Sequence, residues 1–394
     1  MQKVVIVGGG GRVGLPLALV LADSGFEAIS LDTSEETVLS INSGQMPFAE
    51  NNAQDLLTKT LANKTFSATG DFNVIKSADV IFFVLGTPVD EHLNPDPNLV
   101  VDVIATCAPY MNSNQLVILR STVFPGVTNR VRNFLLELNL FPEITFCPER
   151  ILEGQAIDEL RKLPQIIGAT SESGAQRAND IFCKLGLKTV FVSPEEAELA
   201  KLFTNAWRYI KFAAANQFWI MSNEFGLDFY KIREAIIFDY PRASDVPSAG
   251  FSAGPCLLKD TMQLAAFANN NFALGHSAML INEGLPLYLV KKLEEKYNLP
   301  SLKIGILGAS FKGESDDIRS SLAYKLKKIL LFRAKKVYMS DPYVSVDPNL
   351  VSLESLVKDS DILIIATPHS IYKQIETTKP IIDIWNLLDS GSVI

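Results

Sequence analysis

The apolar block Val4-Val5-Ile6-Val7 runs through a glycine-rich turn, Gly9-x-Gly11-x-x-Gly14, directly into a second apolar stretch, Leu15 to Ala22. That order is strand, tight turn, helix. The glycines permit the turn, let backbone N–H groups approach a pyrophosphate, and let the helix pack closely on its strand. Asp32 then closes the next apolar run, Glu27–Leu31. A carboxylate at that strand end can accept from both ribose hydroxyls and repels a 2′-phosphate, which favours NAD over NADP. FAD and S-adenosylmethionine sites share part of the pattern. A merely glycine-rich turn lacks the register of strand, helix and acid.

The pattern continues along the first half. Short apolar runs bounded by turn signals recur at Val80–Leu85, Leu116–Arg120, Ile144–Cys147 and Ile166–Ile167, with helical patterns between several of them. Buried parallel strands look like this, and the doubly wound α/β class follows. From Glu195 to Phe225 there is no Gly or Pro, while Pro194 and Gly226 flank the stretch as helix punctuation. Phe203, Trp207, Ile210, Ala214, Phe218 and Met221 recur at helical spacing, predicting a helix of about 30 residues, or roughly 45 Å. A helix that long bridges domains or builds a dimer core. A second strand and helix series starts at Lys303–Gly308 and continues through Lys336–Asp341 and Ile362–Ile365. The expected architecture is α/β: two Rossmann-like doubly wound domains, 1–193 and 300–394, joined by a long central helix and a helical dimerisation region, 194–299.

A chain of 394 residues exceeds one core, and a formal net charge of −8 argues against nucleic acid and anionic membranes as main partners. No apolar run reaches membrane-span length, and the N-terminus reads as a first strand rather than a signal peptide. Cys107, Cys147, Cys183 and Cys256 are scattered, and with only His92, His276 and His369 beside them neither a disulfide framework nor a metal site is expected. A reducing cytoplasm fits.

Several loops carry candidate chemistry. In Gly250-Phe251-Ser252-Ala253-Gly254-Pro255-Cys256-Leu257-Leu258-Lys259-Asp260 one thiol stands just before a Lys-Asp pair in a small-residue loop. A neighbouring ammonium favours the thiolate, so Cys256 is a candidate nucleophile. A nucleophilic thiol beside a hydride acceptor suggests oxidation of an alcohol past the aldehyde to the acid. Gly86-Thr87-Pro88 and Ser121-Thr122 close two strands on the edge where open α/β sheets bind ligands. Their hydroxyls could order a cofactor or a water, or simply end strands. Glu149 and Glu153 follow another strand and could serve as base and substrate contact, or be solvated surface acids. Lys201 and Asn205, at i and i+4, share a helix face and could stabilise an oxyanion; a surface ammonium beside a polar interface residue is the bland alternative.

The ordered series Gly9 to Gly14, Gly86-Thr87-Pro88, Ser121-Thr122, Pro148-Glu149, Ala197-Glu198-x-x-Lys201-x-x-x-Asn205, Gly254-x-Cys256-x-x-Lys259-Asp260 and Phe311-Lys312-x-x-x-x-Asp317-Ile318-Arg319-x-Ser321 resembles the nucleotide-diphosphate-sugar 6-dehydrogenases. That family includes UDP-glucose, GDP-mannose and UDP-N-acetylhexosamine dehydrogenases, and the resemblance covers essentially the whole chain. It implies an N-terminal NAD domain, a dimer or higher homo-oligomer built on the central helix, and a C-terminal domain holding the nucleotide of the sugar donor.

The resemblance also implies roles. Cys256 attacks the C6 aldehyde, and the thiohemiacetal becomes a thioester that water hydrolyses. Lys201 and Asn205 stabilise oxyanions at C6, Asp260 and Thr122 position or activate water, and Glu149 is the base for hydrolysis. Glu153, Gly254 and Lys259 support the substrate side. Arg242 matches an arginine that reaches a substrate in the neighbouring subunit. Lys312 contacts the sugar nucleotide. Cofactor contacts fall to Gly9, Gly11, Arg12, Val13, Gly14, Asp32, Thr87, Pro88, Thr122 and Arg319. Read from the residues alone, Lys312 and Arg319 beside Asp316 and Asp317 could equally be a surface ion-pair cluster.

The chain departs from the family pattern at Leu258, where many members carry proline, and at Ser252-Ala253, where a glycine pair is common. Pro148-Glu149-Arg150 looks more like the N-acetylhexosamine branch than the glucose branch, so the expected substrate is UDP-N-acetylmannosamine or UDP-N-acetylglucosamine, for surface polysaccharide precursors. UDP-glucose or GDP-mannose is the alternative within the family. A two-electron hydroxy-acid dehydrogenase would need neither Cys256 nor a second nucleotide domain, and a non-catalytic sugar-nucleotide sensor would not retain Cys256, Lys201, Asn205 and Asp260 together.

Overall fold

Val4 and Ile6 pack into one apolar layer and Val5 and Val7 into another, so the first strand is covered on both faces. This is why it reads as an unbroken apolar run rather than an alternating one. A computed structural model describes residues 1–88, 90, 96, 98–252 and 254–394; His92 and Ala253 lie outside them. The chain divides into two units, Met1–Thr204 and Asn205–Ile394.

The first unit holds strands β1 (Lys3–Val7), β2 (Glu27–Leu31), β3 (Phe66–Thr69), β4 (Val80–Phe83), β5 (Leu116–Leu119), β6 (Glu143–Phe146), β7 (Gln165–Ala169) and β8 (Thr189–Val192) in one sheet, ordered β3-β2-β1-β4-β5-β6-β7-β8. The strand order reverses between β1 and β4, so the loops leaving those strands flank the crevice where such sheets take ligands. One pair breaks the expected parallel pattern: β7 runs antiparallel to β6, through Thr145 opposite Ala169. A parallel return needs a crossover long enough to pack on the sheet, and only the short helix Ala156–Glu159 lies between these strands.

The second unit holds β9 (Lys303–Leu307), β10 (Lys336–Ser340), β11 (Ile362–Ile365) and β12 (Ile381–Asp383), all parallel, in the order β10-β9-β11-β12. Its helical part includes Leu257–Phe267 and Ala273–Lys296, the latter running through the buried Pro286. Each sheet is doubly wound, and the α/β class expected from the alternation is the one observed.

The long helix spans Pro194–Glu224, 31 residues. Its buried side carries apolar Leu202, Ala206, Tyr209, Ala213 and Trp219 together with polar groups, and a second apolar stripe is left exposed. Phe203, Trp207, Phe218 and Met221 are 54%, 58%, 47% and 51% exposed, whereas Glu198, Lys201, Asn205 and Asn216 are buried. No helix among the described residues is long and apolar enough to cross a membrane.

Candidate active site

In the first unit the expected residues gather at the carboxyl edge of the sheet. Behind β1, Val13 caps the helix Gly14–Asp23. A Cβ on Gly14 would come within 2.3 Å of the Gly8 carbonyl oxygen, so only glycine lets this helix start so close to the strand, while a Cβ on Gly11 would meet nothing nearer than 3.5 Å. The turn is therefore closed against its own strand and open at Gly11, the shape that backbone approach by a pyrophosphate requires. The Asp32 carboxylate accepts from Gly10 N at 2.9 Å and Ser34 N at 3.1 Å and stays partly exposed at the end of β2. Arg12 lies over the Phe48 ring, 5.1 Å from its centroid. These residues fit a bound NAD.

The loops after β4 and β5 are tied together. Thr87 Oγ1 donates to the Thr122 carbonyl at 2.7 Å, and Ser121 Oγ accepts from Leu85 N at 2.7 Å. Pro88 follows Thr87 directly. Glu198, from the long helix, accepts from Gly126 N at 2.6 Å, Thr128 N at 2.8 Å and Thr128 Oγ1 at 2.6 Å, so it caps the helix Val127–Glu137 that follows Thr122. Burial pushes the Glu198 carboxyl above its ordinary range against the pull of those three donors.

One turn further along the same helix, Lys201 Nζ stands 4.0 Å from the Glu149 carboxylate, with side chains 8% and 13% exposed. Glu149 also accepts from Ile151 N. The two sit at the outer limit of an ion pair and largely out of water, where opposite charges are screened less than at the surface. Just before them Cys147 is fully buried and its thiol is pushed up to about 12, which leaves it inert. Arg120, at the end of β5, is also buried; its Nη1 donates to Gln165 Oε1 at 2.9 Å, and burial lowers its pKa while Glu149 opposes that shift. Glu153 sits on a turn pinned by Glu50, which accepts from Gly154 N at 2.7 Å and Ala156 N at 2.8 Å.

The second unit carries the thiol. Cys256 is exposed and occupies the N-cap position of the helix Leu257–Phe267 without a side-chain cap bond, at the end where a helix's N–H groups favour negative charge. One turn on, Asp260 is 1% exposed; its carboxylate receives Asn205 Nδ2 at 2.6 Å and pairs with Lys259 Nζ at 2.9 Å. Oδ2 is thus hydrogen-bonded to Asn205, while the buried Oδ1 faces the Lys259 ammonium as an ion pair without hydrogen-bond geometry. Gly254 holds φ +110°, and a Cβ there would lie 2.7 Å from the Phe311 ring. The Cys256 loop therefore rests on the residue just before Lys312. The ion-pair reading of the Lys312–Arg319 segment holds for Arg319, whose Nε lies 3.0 Å from each oxygen of Asp317 and whose Nη2 lies 2.6 Å from Oδ2. Arg242 is exposed, stacked 5.1 Å from the Tyr240 ring centroid.

Glu198 and Arg120 escape a reading by residue type. Glu198 stands in the quoted motif, and only its pairing with two backbone N–H groups far along the chain reveals the cap. Arg120 follows an apolar run and reads as a strand end.

Family models describing the UDP-glucose/GDP-mannose dehydrogenase family match the chain in three parts: the NAD binding domain at residues 2–186, the central domain at 195–284 and the UDP binding domain at 305–390. A UDP-N-acetyl-D-mannosamine dehydrogenase of Pyrococcus horikoshii is 30% identical over 94% of this chain and 90% of its own. An NDP-N-acetyl-D-galactosaminuronic acid dehydrogenase of Ralstonia nicotianae is 25% identical over 96% and 93%. Among solved structures, the UDP-D-ManNAc dehydrogenase of P. horikoshii superposes with TM-score 0.92 at 29% identity, covering 100% of this chain and 97% of that one. A UDP-glucose dehydrogenase of Pyrobaculum islandicum gives 0.91 at 25% identity, covering 97% and 94%.

Proposed function

The chain belongs to the UDP-glucose/GDP-mannose dehydrogenase family and is an NAD-dependent oxidoreductase acting on a nucleotide sugar, and from that premise we propose that it oxidises C6 of a UDP-N-acetylhexosamine, N-acetylmannosamine or N-acetylglucosamine, to the uronic acid through a thioester on Cys256. The observation that carries the reading is the placement of Cys256 at a helix start with Lys259, Asp260 and Asn205 interlocked one turn behind it.

NAD, when bound, would accept one hydride from C6 in each of the two oxidation steps, a second NAD replacing the first NADH between them. Glu149 takes the proton as the hydroxyl becomes an aldehyde, with Lys201 beside it as electrostatic partner. The Cys256 sulfur then adds to the aldehyde carbon, and Lys201 and Asn205 hold the resulting oxyanion. Loss of the second hydride leaves a thioester. Glu149, having passed the first proton to solvent, deprotonates the water that adds to it while Asp260 and Thr122 position that water, and the Cys256 thiolate leaves. Asp260 fixes Asn205 and Lys259 throughout. Glu153, Gly254, Lys259 and Lys312 line the sugar-nucleotide side; Gly9, Gly11, Arg12, Val13, Gly14, Asp32, Thr87, Pro88 and Arg319 serve the cofactor.

We further propose the functional division 1–193, 194–299 and 300–394, a cytoplasmic location, and a homodimer that covers the exposed stripe of Phe203, Trp207, Phe218 and Met221 and brings Arg242 to its neighbour's substrate. Surface polysaccharide precursors are the proposed product class. The test is a panel of UDP- and GDP-sugars with NADH counted per sugar: two per UDP-N-acetylhexosamine is expected, and one per substrate would overturn the four-electron reading. With Cys256→Ala, oxidation should stop at the aldehyde; acid formed at the parent rate would remove Cys256 from the chemistry.

A further inference from the structure

The loop between β9 and the helix Leu322–Leu331 carries Lys312 and Arg319, and two of its non-glycine residues, Glu314 and Ser320, adopt left-handed φ values of 55° and 54°. Such backbone persists only where its surroundings hold it. Glu314 is held from two other strand ends. Its N–H donates to His369 Nδ1 at 3.0 Å, and its carboxylate accepts from Ser370 N at 2.7 Å and from the Tyr343 hydroxyl. His369 is 0% exposed, and its Nε2 lies 3.0 Å from Asp341 Oδ2 and 3.2 Å from Ser310 Oγ. Asp341 accepts from Ala309 N at 2.7 Å and Ser310 N at 3.1 Å, and Ser310 Oγ donates to the Lys312 carbonyl at 2.9 Å. The rings of Tyr343 and Tyr372 pack on the imidazole, with centroids 5.0 and 5.4 Å away.

Because Nδ1 accepts the Glu314 N–H, the ring proton belongs on Nε2, where Asp341 accepts it; one imidazole thus joins the end of β10 to the middle of the Lys312 loop. Remove the Nδ1 acceptor and Glu314 keeps its side-chain contacts but loses the backbone bond that stabilises its left-handed conformation.

We propose that His369, as the neutral Nε2–H tautomer paired with Asp341, is a positioning residue for sugar-nucleotide binding: it fixes the backbone that presents Lys312 before the ligand arrives. The proposal rests on Lys312 contacting the nucleotide. Three variants separate the two ideas, with uridine diphosphate as the probe. His369→Gln keeps a donor toward Asp341 and removes the Nδ1 acceptor; His369→Asn restores an acceptor at the Nδ1 place. Expected are a tenfold or greater loss of UDP affinity by calorimetry for His369→Gln, an equal rise in sugar-nucleotide KM with kcat within twofold, unchanged NAD affinity, and recovery to within threefold of the parent for His369→Asn. Lys312→Ala should weaken UDP at least tenfold. If it does and His369→Gln leaves UDP affinity unchanged, the positioning role alone is wrong. Equal losses in both His369 variants, with NAD affinity and Tm falling together, also overturn it as a general packing effect. Unchanged UDP affinity in Lys312→Ala removes the reading beneath it and the inference with it.

Discussion

The two sheets place an aspartate at the same topological position, at the end of the strand beside the first strand of each, and use it differently. Asp32 ends β2 and Asp341 follows β10; each accepts backbone N–H groups from the loop leaving the neighbouring strand, Gly10 for Asp32 and Ala309 with Ser310 for Asp341. Asp32 remains partly open to solvent, whereas the Asp341 side chain is 0% exposed and closed by His369. A carboxylate left open at a strand end is available to a ligand's hydroxyls; one closed by an imidazole has become internal framework. Both edges need a glycine where the loop leaves the first strand, Gly8 and Gly308, each at positive φ with no room for a Cβ; the second edge adds side chains that close over its carboxylate.

Replacing each aspartate tests this contrast directly. Asp341→Ala strands buried donors and a buried imidazole and should destabilise the chain by about 3 kcal/mol in urea unfolding. Asp32→Ala should shift stability little but weaken NAD binding by ~1.5–3 kcal/mol and narrow the preference over NADP. A large stability loss from Asp32→Ala, or none from Asp341→Ala, would break the comparison.

Acid titration sharpens it, because two buried carboxyls respond in opposite directions. Burial acts to raise Asp341, but His369 and backbone donors prevail and hold its carboxyl below the ordinary range. Its stabilisation is therefore present above the unfolded value of about 4 and lost as pH falls through the lower folded value. Glu198 is raised by burial, so its contribution is fully present below its unfolded value and lost as pH rises through the folded one. The stability deficit of Asp341→Ala should shrink on acidification, while that of Glu198→Ala, about 1–2 kcal/mol at acid pH from the lost cap, should shrink on raising pH. Urea midpoints across pH 3 to 7, taken as about that range around the carboxylate values, check both.

The smallest effect belongs to Arg319→Ala. Its side chain is 56% exposed despite the fork with Asp317, so stability should change by less than about 1 kcal/mol. If Arg319 contacts the cofactor, NAD affinity should fall by more than stability does.

Much of this was readable along the chain. β1, β2, β4, β5 and β6 are apolar runs long enough to announce themselves, and the long helix lacks any interior Gly or Pro. β3 escapes as Phe-Ser-Ala-Thr, too short and mixed for a period, and β8 leaves Val190 and Phe191 exposed at the sheet edge. The helix Ala273–Lys296 hides behind Pro286, which normally ends a helix; packing of Leu285 and Leu289 carries it through. Spacing placed Lys201 and Asn205 on one face but did not reveal that the face is buried, because a helical period tells which residues share a face and not what covers it.

By itself the sequence determined the α/β class, the NAD turn with its acid, the order of the motifs and the candidate thiol, because those depend on local periodicity and on residues close in the chain. Only the tertiary structure decided which polar groups are shut away together: Glu149 with Lys201, Asn205 with Asp260, Glu198 with Gly126 and Thr128, His369 with Asp341 and Glu314. The physical reason is that a hydrogen bond between residues distant in sequence leaves no period to read, while the desolvation that gives it its importance exists only once the surrounding apolar layers have closed over it.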